Sequence, residues 1–245
     1  MSINTNNFSF ATFISINNGD SFGSGFRIVG KNFEYIITAK HVVFNQDKLL
    51  NEVWIKSRNY FGETLDAYDI IIDLTDDNVK TFGDSDIAII ILHEKFGLHI
   101  HSRGNDISYA ELTDLKKFED IRISENIFLV GFPSSLITKD DFYENDRPLL
   151  RYGIVAGKNT NNNTFIIDSI AYYGVSGGPI VCIDAQNNIS IIGIVSRYIP
   201  FITEWKNKYE LSLIRHDFYN SGYAVCERLD EIINFIEMYD NDINK

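Results

Sequence analysis

The sequence predicts an all-β protein: two six-stranded antiparallel barrels in tandem, closed by one C-terminal α-helix. Three observations predict it. Apolar stretches of strand length recur through the 245 residues, broken by clusters of Gly, Asn and Asp. A polar, charged region, residues 103–125, parts them into two comparable halves. Only the tail carries a helical period. A single large β-sandwich is the competing architecture.

In the first half the strand candidates are residues 8–16, 25–29, 35–38, 52–56, 69–74 and 87–92. The second half offers residues 126–130, 149–156, 164–167, 178–183, 189–196 and 222–226. Between them, the Asn-rich runs 159–163 and 184–188 read as tight hairpin turns, because asparagine tolerates positive φ. In the tail, Leu229, Ile232, Ile233 and Ile236 fall on one helical face. The expected organisation is one unit in four parts. These are an N-terminal lobe (1–110), a linker (111–125), a C-terminal lobe (126–228) and a closing helix (229–245).

Lys and Arg number 22 against 34 Asp and Glu, a net charge of −12. Such a chain repels a phosphate polyanion, so nucleic acid is excluded as the main partner. No apolar run reaches the ~18 residues that span a bilayer, and the first residues lack a basic and an apolar secretory segment. Two cysteines, Cys182 and Cys226, are too few for a disulfide framework. The expectation is a cytoplasmic protein with no membrane partner. His99 and His101 alternate on one strand face with His93 nearby, but no third ligand is fixed, so neither metal nor cofactor is expected.

Three segments carry reactive side chains in a suggestive setting. Thr38-Ala39-Lys40-His41 ends an apolar strand, Asp84-Ser85-Asp86-Ile87-Ala88 begins another, and Gly174-Val175-Ser176-Gly177-Gly178-Pro179 is a glycine-dense turn. A serine hydroxyl is a poor nucleophile until an imidazole takes its proton. That imidazole needs a carboxylate on its other nitrogen to fix its tautomer and stabilise the cation. Glycines around the serine permit a loop whose backbone N–H groups, here those of Gly174 and Ser176, converge on one point and hold an oxyanion.

These segments resemble the trypsin/chymotrypsin-like serine peptidases, and among them the bacterial HtrA-like branch. Thr38 to His41 is similar to the family's Thr-Ala-Ala-His, Asp86-Ile87-Ala88 to its Asp-Ile-Ala, and Gly174 to Pro179 to Gly-x-Ser-Gly-Gly-Pro. Gly23-Ser24-Gly25, Gly193-Ile194-Val195-Ser196 and Ser221-Gly222-Tyr223-Ala224 extend the likeness over most of the chain. The resemblance implies a catalytic His41, Asp86 and Ser176, with Asp84 as the rival acid. It also implies an oxyanion hole from Gly174 and Ser176, and acyl transfer from a protein or peptide substrate without a cofactor. Substrate-binding positions carried over are Ile170, Tyr173, Val195, Ser196, Arg197, Tyr198 and Gly222.

Several residues depart from the digestive members. Val175 stands where trypsin's Asp pairs with a freshly cut N-terminus, so the implied gate is an activating protein partner or the substrate itself. Ile170, at the pocket floor, implies a small or apolar side chain before the scissile bond. Asp168 is read as structural, or as the acceptor of a basic side chain if the register slips. Arg197-Tyr198 replaces Trp-Gly. The insertion at residues 199–220, with Trp205 and Tyr209, reads as a helical rim or a packed surface loop. A catalytically silent binding module of the same fold is the other functional class.

Overall fold

The computed structural model describes residues 8–16, 21–57, 69–96, 98–100, 108–134, 147–206 and 214–242. The first lobe holds β1 (Ala11–Ile16), β2 (Ser21–Val29), β3 (Glu34–Thr38) and the one-turn helix α1 (Lys40–Val43). It continues through β4 (Phe44–Asn45), β5 (Lys48–Leu49), β6 (Glu52–Lys56), β7 (Ile70–Asp73), β8 (Val79–Thr81), β9 (Ala88–Leu92), β10 (His99–Ile100) and β11 (Ala110–Glu111). The second holds β12 (Asn126–Gly131), β13 (Leu149–Asn159), β14 (Thr164–Asp168), β15 (Pro179–Ile183), β16 (Ile189–Lys206) and β17 (Ile214–Glu227), then the helix α2 (Asp230–Asp242).

The fold class is the one the sequence predicts, two antiparallel β lobes and a terminal helix. In the first lobe the strands follow the order β10-β7-β6-β1-β2-β3-β9-β8, with β11 laid parallel on β2, and β4 and β5 form a separate pair. This ladder has more strands than the six expected, because short pairings extend both its ends. Ala, Ile and Leu at successive positions leave β9 no solvent face, and all of Ala88–Leu92 is buried between β3 and β8. The second lobe closes as a six-stranded barrel, β12-β13-β14-β17-β16-β15. Two of its hairpins turn at the Asn-rich runs, with Asn163 and Asn187 at positive φ.

The barrel has its own core around Phe165, Ile167, Ile180 and Ile192. A larger core fills the first lobe and also takes in Val130, Phe132, Ile191 and Ile194 from the second. The apolar face of α2 joins it through Leu229, Ile232, Ile233 and Ile236, each worth about 2 kcal/mol of burial. Near its end Asp240 accepts hydrogen bonds from Tyr35 Oη (2.8 Å) and the Lys31 N–H (2.7 Å). The helix that follows the second lobe therefore clamps the first, and the two lobes meet along a fixed seam.

The described residues of the segment 199–220 form neither a helix nor a packed loop. β16 and β17 run on past the barrel as a two-stranded ribbon, paired from Pro200↔Asn220 to Lys206↔Ile214. Tyr209 lies outside the described residues. The period-2 signal is hidden because neither face of the ribbon is buried, so apolar and charged residues fall on both.

Candidate active site

β3 and β9 are neighbours in register Thr38↔Ala88. The chain leaving β3 and the chain entering β9 therefore lie side by side, which sets His41 beside Asp86. Buried Val42 and Val43 pin the single turn that carries His41. His41 Nδ1 lies 2.8 Å from Asp86 Oδ2, and the His41 N–H donates to Oδ1 at 3.1 Å. Lys40 N–H donates to the Asp86 carbonyl at 3.2 Å. From the other lobe, Ser196 Oγ donates to Asp86 Oδ2 at 2.6 Å. Asp84, the rival acid, is exposed on the preceding turn.

Burial works against ionising Asp86. The hydrogen bond and charge of His41, then the Ser196 hydroxyl and the His41 N–H, outweigh it and hold the carboxyl below the usual carboxylate range. An Nδ1–H committed to a carboxylate leaves Nε2 as the free lone pair, the tautomer a general base needs. The imidazole is half exposed, at 49%, so that lone pair is reachable.

The turn that carries Ser176 comes from the second lobe, between β14 and β15. Gly174 and Gly177 sit at φ +92° and +81°, where L side chains are strained. A Cβ on Gly177 would run into the Ser24 carbonyl, and one on Gly174 into the Phe132 carbonyl. Ser134 N–H (2.7 Å) and Oγ (3.0 Å) both donate to the Tyr173 carbonyl. In a trans peptide this turns the following N–H, that of Gly174, to the opposite side. Gly177 N–H donates to the Val195 carbonyl at 2.8 Å and Gly178 N–H to the Val175 carbonyl at 2.9 Å. Among the described residues the N–H groups of Gly174 and Ser176 have no such acceptor.

Ser176 Oγ donates to the Ser196 carbonyl at 3.4 Å. Ser196 thus touches two of the three groups, its hydroxyl on Asp86 and its carbonyl on Ser176. Val195 and Ser196 are buried, Arg197 is exposed, and Tyr198 packs edge-on against Tyr173 (ring centroids 5.9 Å apart, hydroxyls 3.5 Å). Gly222, at φ +89°, donates its N–H to Asn220 Oδ1 at 3.0 Å, and Asn220 Nδ2 reaches the Ala171 carbonyl at 2.6 Å. Ile170 stands apart from this group. With Tyr172, Val175, Leu129 and Tyr152 it lines a cavity of about 420 Å³ behind the turn, which neither Ser196, Tyr198 nor Gly222 borders. Asp168 ends β14, exposed, opposite Tyr223.

Three positioning residues were not read from the sequence as such. Buried Ser24 donates from Oγ to the Gly174 carbonyl (2.7 Å), accepts from Phe132 N–H (3.0 Å), and gives its own N–H to the Ser176 carbonyl (2.8 Å). Its motif was visible but its reach across the lobes was not. Ser134 had no signal. Glu227, on the last position of β17, accepts from Ser85 Oγ at 2.9 Å and from the Asp86 N–H. Burial pushes its carboxyl up, with the Asp86 charge adding to that rise; Ser85, the Asp86 N–H and Arg197 offset it in part.

Among the described residues no three His, Cys, Asp or Glu side chains cluster for a metal ion. His93 packs against Phe33 and Phe96, and His101 lies outside the described residues. No helix among them is long and apolar enough to cross a membrane.

A two-lobed β fold with an imidazole, a carboxylate and a serine turn at its seam defines the class of the serine peptidases. The family model for trypsin matches residues 1–208, and the chain belongs to the trypsin family. Two solved structures share the fold at 13% identity. One is the serine endoprotease from Yersinia pestis (TM-score 0.55; 95% of this chain covered). The other is the thermostable serine protease AL20 from an extremophilic microorganism (TM-score 0.53; 89% of each chain). The chain spans 63% of the length of the Yersinia chain. No curated protein sequence matches it.

Proposed function

We propose that this chain is a serine endopeptidase that cuts a protein substrate through an acyl-enzyme. The observation carrying the reading is the arrangement around Ser196, which holds Asp86 on its hydroxyl while His41 bonds the same carboxylate oxygen and Ser176 lies at its carbonyl. In the reading, the substrate's backbone N–H takes over the Ser196 carbonyl, and the Ser176 hydroxyl turns to His41 Nε2. His41 accepts the proton as Oγ attacks the scissile carbonyl, and returns it to the leaving amine. Asp86 stays ionised. The N–H groups of Gly174 and Ser176 take the oxyanion. Water deacylates by the same route.

The substrate is a restricted intracellular protein, in a stress or defence setting, and the site is gated. Cys182 and Cys226, both buried free thiols, support a reducing, cytoplasmic compartment of the kind bacteria provide. Val175, buried with Ile170 and Tyr172 on an apolar cavity, gives a new amine terminus no carboxylate to pair with. Order in the turn instead comes from apolar contact, supplied by a protein partner or by substrate.

Fluorophosphonate labelling tests the reading. Stoichiometric modification at Ser176, absent in Ser176→Ala, is the expected result. A folded chain that is never labelled, with or without candidate substrate, points to the silent binding module instead.

A further inference from the structure

The strand that carries Ser196 does not stop at the site. β15 accompanies β16 only as far as Pro179↔Ile194, while β17 stays with it to Lys206. From residue 196 to 206, therefore, one edge of β16 has no strand partner among the described residues. Every second residue of such an edge points its N–H and C=O outward, ready for another strand. Proteins ordinarily blunt an edge like this. Here Pro200 withdraws one N–H at the base, and the six residues above it keep theirs.

The same ribbon exposes large apolar side chains on both faces. Phe201 (62%), Trp205 (58%) and Tyr219 share one face; Ile202 and Phe218 (62%) share the other. With Tyr173 (73%) they form a run of large exposed apolar side chains beside the site, and a surface facing water gains nothing by keeping them open. Because Ser176 lies at the Ser196 carbonyl, β16 leads away from the nucleophile towards Lys206. A chain added antiparallel to β16 would run from the ribbon's far end down to Ser176, so its N-terminal part would cover the ribbon.

Resting on the endopeptidase reading, we propose that the ribbon is an extended substrate site. It takes, as a third β-strand, the roughly six residues that begin four or more positions before the scissile bond. At about 3.3 Å per residue the free edge from Phe201 to Lys206 is about 20 Å long, which fits that length. The added strand would place successive side chains beside Phe201 and Trp205 on one face and Ile202 on the other. An occupant apolar beside Phe201 and Trp205 on one face and beside Ile202 on the other is therefore selected: an extended run rich in β-branched and aromatic residues. Backbone pairing supplies affinity and the flanking rings supply the preference.

The test is a nested peptide series with one scissile bond and one sequence for the three residues before it. The series lengthens by single Val, Ile or Tyr residues towards the N-terminus. kcat/KM is expected to climb about 30-fold once the fifth to eighth positions are filled, mostly through KM. In Phe201→Ser/Trp205→Ser that long-to-short ratio should collapse towards one. Circular dichroism confirms that the variant, altered only at exposed positions, is folded. Binding of the longest and shortest labelled peptides to Ser176→Ala gives the same comparison without turnover. If Ser176 is never labelled and nothing is cut, the endopeptidase reading fails, while this arm still reports on the ribbon. Equal binding of long and short peptides, or a ratio untouched by the double variant, overturns the proposal. So does a chain that sediments as a dimer until the double variant makes it a monomer, for the ribbon's occupant is then a second copy.

Discussion

The two lobes contribute to the site in unlike ways. The first lobe supplies His41 and Asp86 from the ends of two adjacent strands, buried at every residue but Glu34, and three of the five hydrogen bonds on Asp86 come from within that lobe, the other two from Ser196 and Glu227. The second lobe supplies a turn with two strained glycines, held by Ser134 and Val195 of its own lobe and, across the seam, by two bonds from Ser24. The pair proposed for acid–base work is held mostly by its own sheet, whereas the turn proposed to carry the nucleophile takes part of its order from the other lobe. The difference teaches where regulation of the proposed activity would have room to act: on the turn, whose order is partly borrowed.

Breaking the first half should cost the most. Asp86→Asn keeps the shape but presents an amide to Nδ1, favouring the wrong tautomer. A fall in kcat on the order of 10⁴, with KM little changed, is expected from steady-state kinetics. On the other side, Gly174→Ala places a Cβ against the Phe132 carbonyl at a strained φ and misdirects one oxyanion donor. A loss of about 10²–10³ in kcat is expected. A loss as large as that of Asp86→Asn would mean that the turn collapses as a whole, making it less independent than drawn here.

Ser24→Ala tests the borrowing itself. It removes the hydroxyl that bridges the Gly174 carbonyl and the Phe132 N–H, leaving both buried groups short of a partner. Stability should drop by about 1–3 kcal/mol in urea unfolding. Fluorophosphonate labelling should slow about 10-fold although Ser24 belongs to the other lobe. Unchanged labelling at reduced stability would reduce Ser24 to a structural bond and return the turn's order to its own lobe.

What was readable beforehand follows the same division. β6 has the residues expected, and β3, β9, β12 and β15 differ from expectation by a residue or two, because Ile- and Val-rich runs between Asn and Gly turns have no other stable use. His41, Asp86 and Ser176 were readable because each sits in a short local motif. The ribbon was not, since its alternation is masked when both faces meet solvent. Ser24, Ser134 and Glu227 act through partners far away in the chain, and only the fold reveals which carbonyl or carboxylate a serine will meet. Ile170 shows what counting leaves open: its distance from Ser176 assigns it a pocket floor, and only the fold shows that it shares a cavity with Val175, Tyr172 and Leu129.

The smallest expected effect belongs to Glu227→Gln, which probes the place, other than Ser196, where the second lobe meets the first lobe's Asp86. Glu227 is buried, and burial raises its carboxyl above the usual range, with the neighbouring Asp86 charge adding to that rise. A raised acid binds its proton more tightly folded than unfolded. Its contribution to stability is therefore fully present below the ordinary carboxylate range and declines as pH climbs through the raised value. Glutamine keeps an oxygen for the Ser85 hydroxyl and the Asp86 N–H but carries no charge. Urea unfolding should then show wild type and variant alike at pH 4 and the variant ahead by about 1 kcal/mol at pH 8. With its anionic neighbour gone, Asp86 ionises more readily still, so the plateau of kcat/KM stays within about threefold. A variant weaker than wild type at pH 8 would mean that the ionised carboxylate is held there for its hydrogen bonds. The seam between the lobes would then reinforce the acid–base half, and that half could no longer be called self-sufficient.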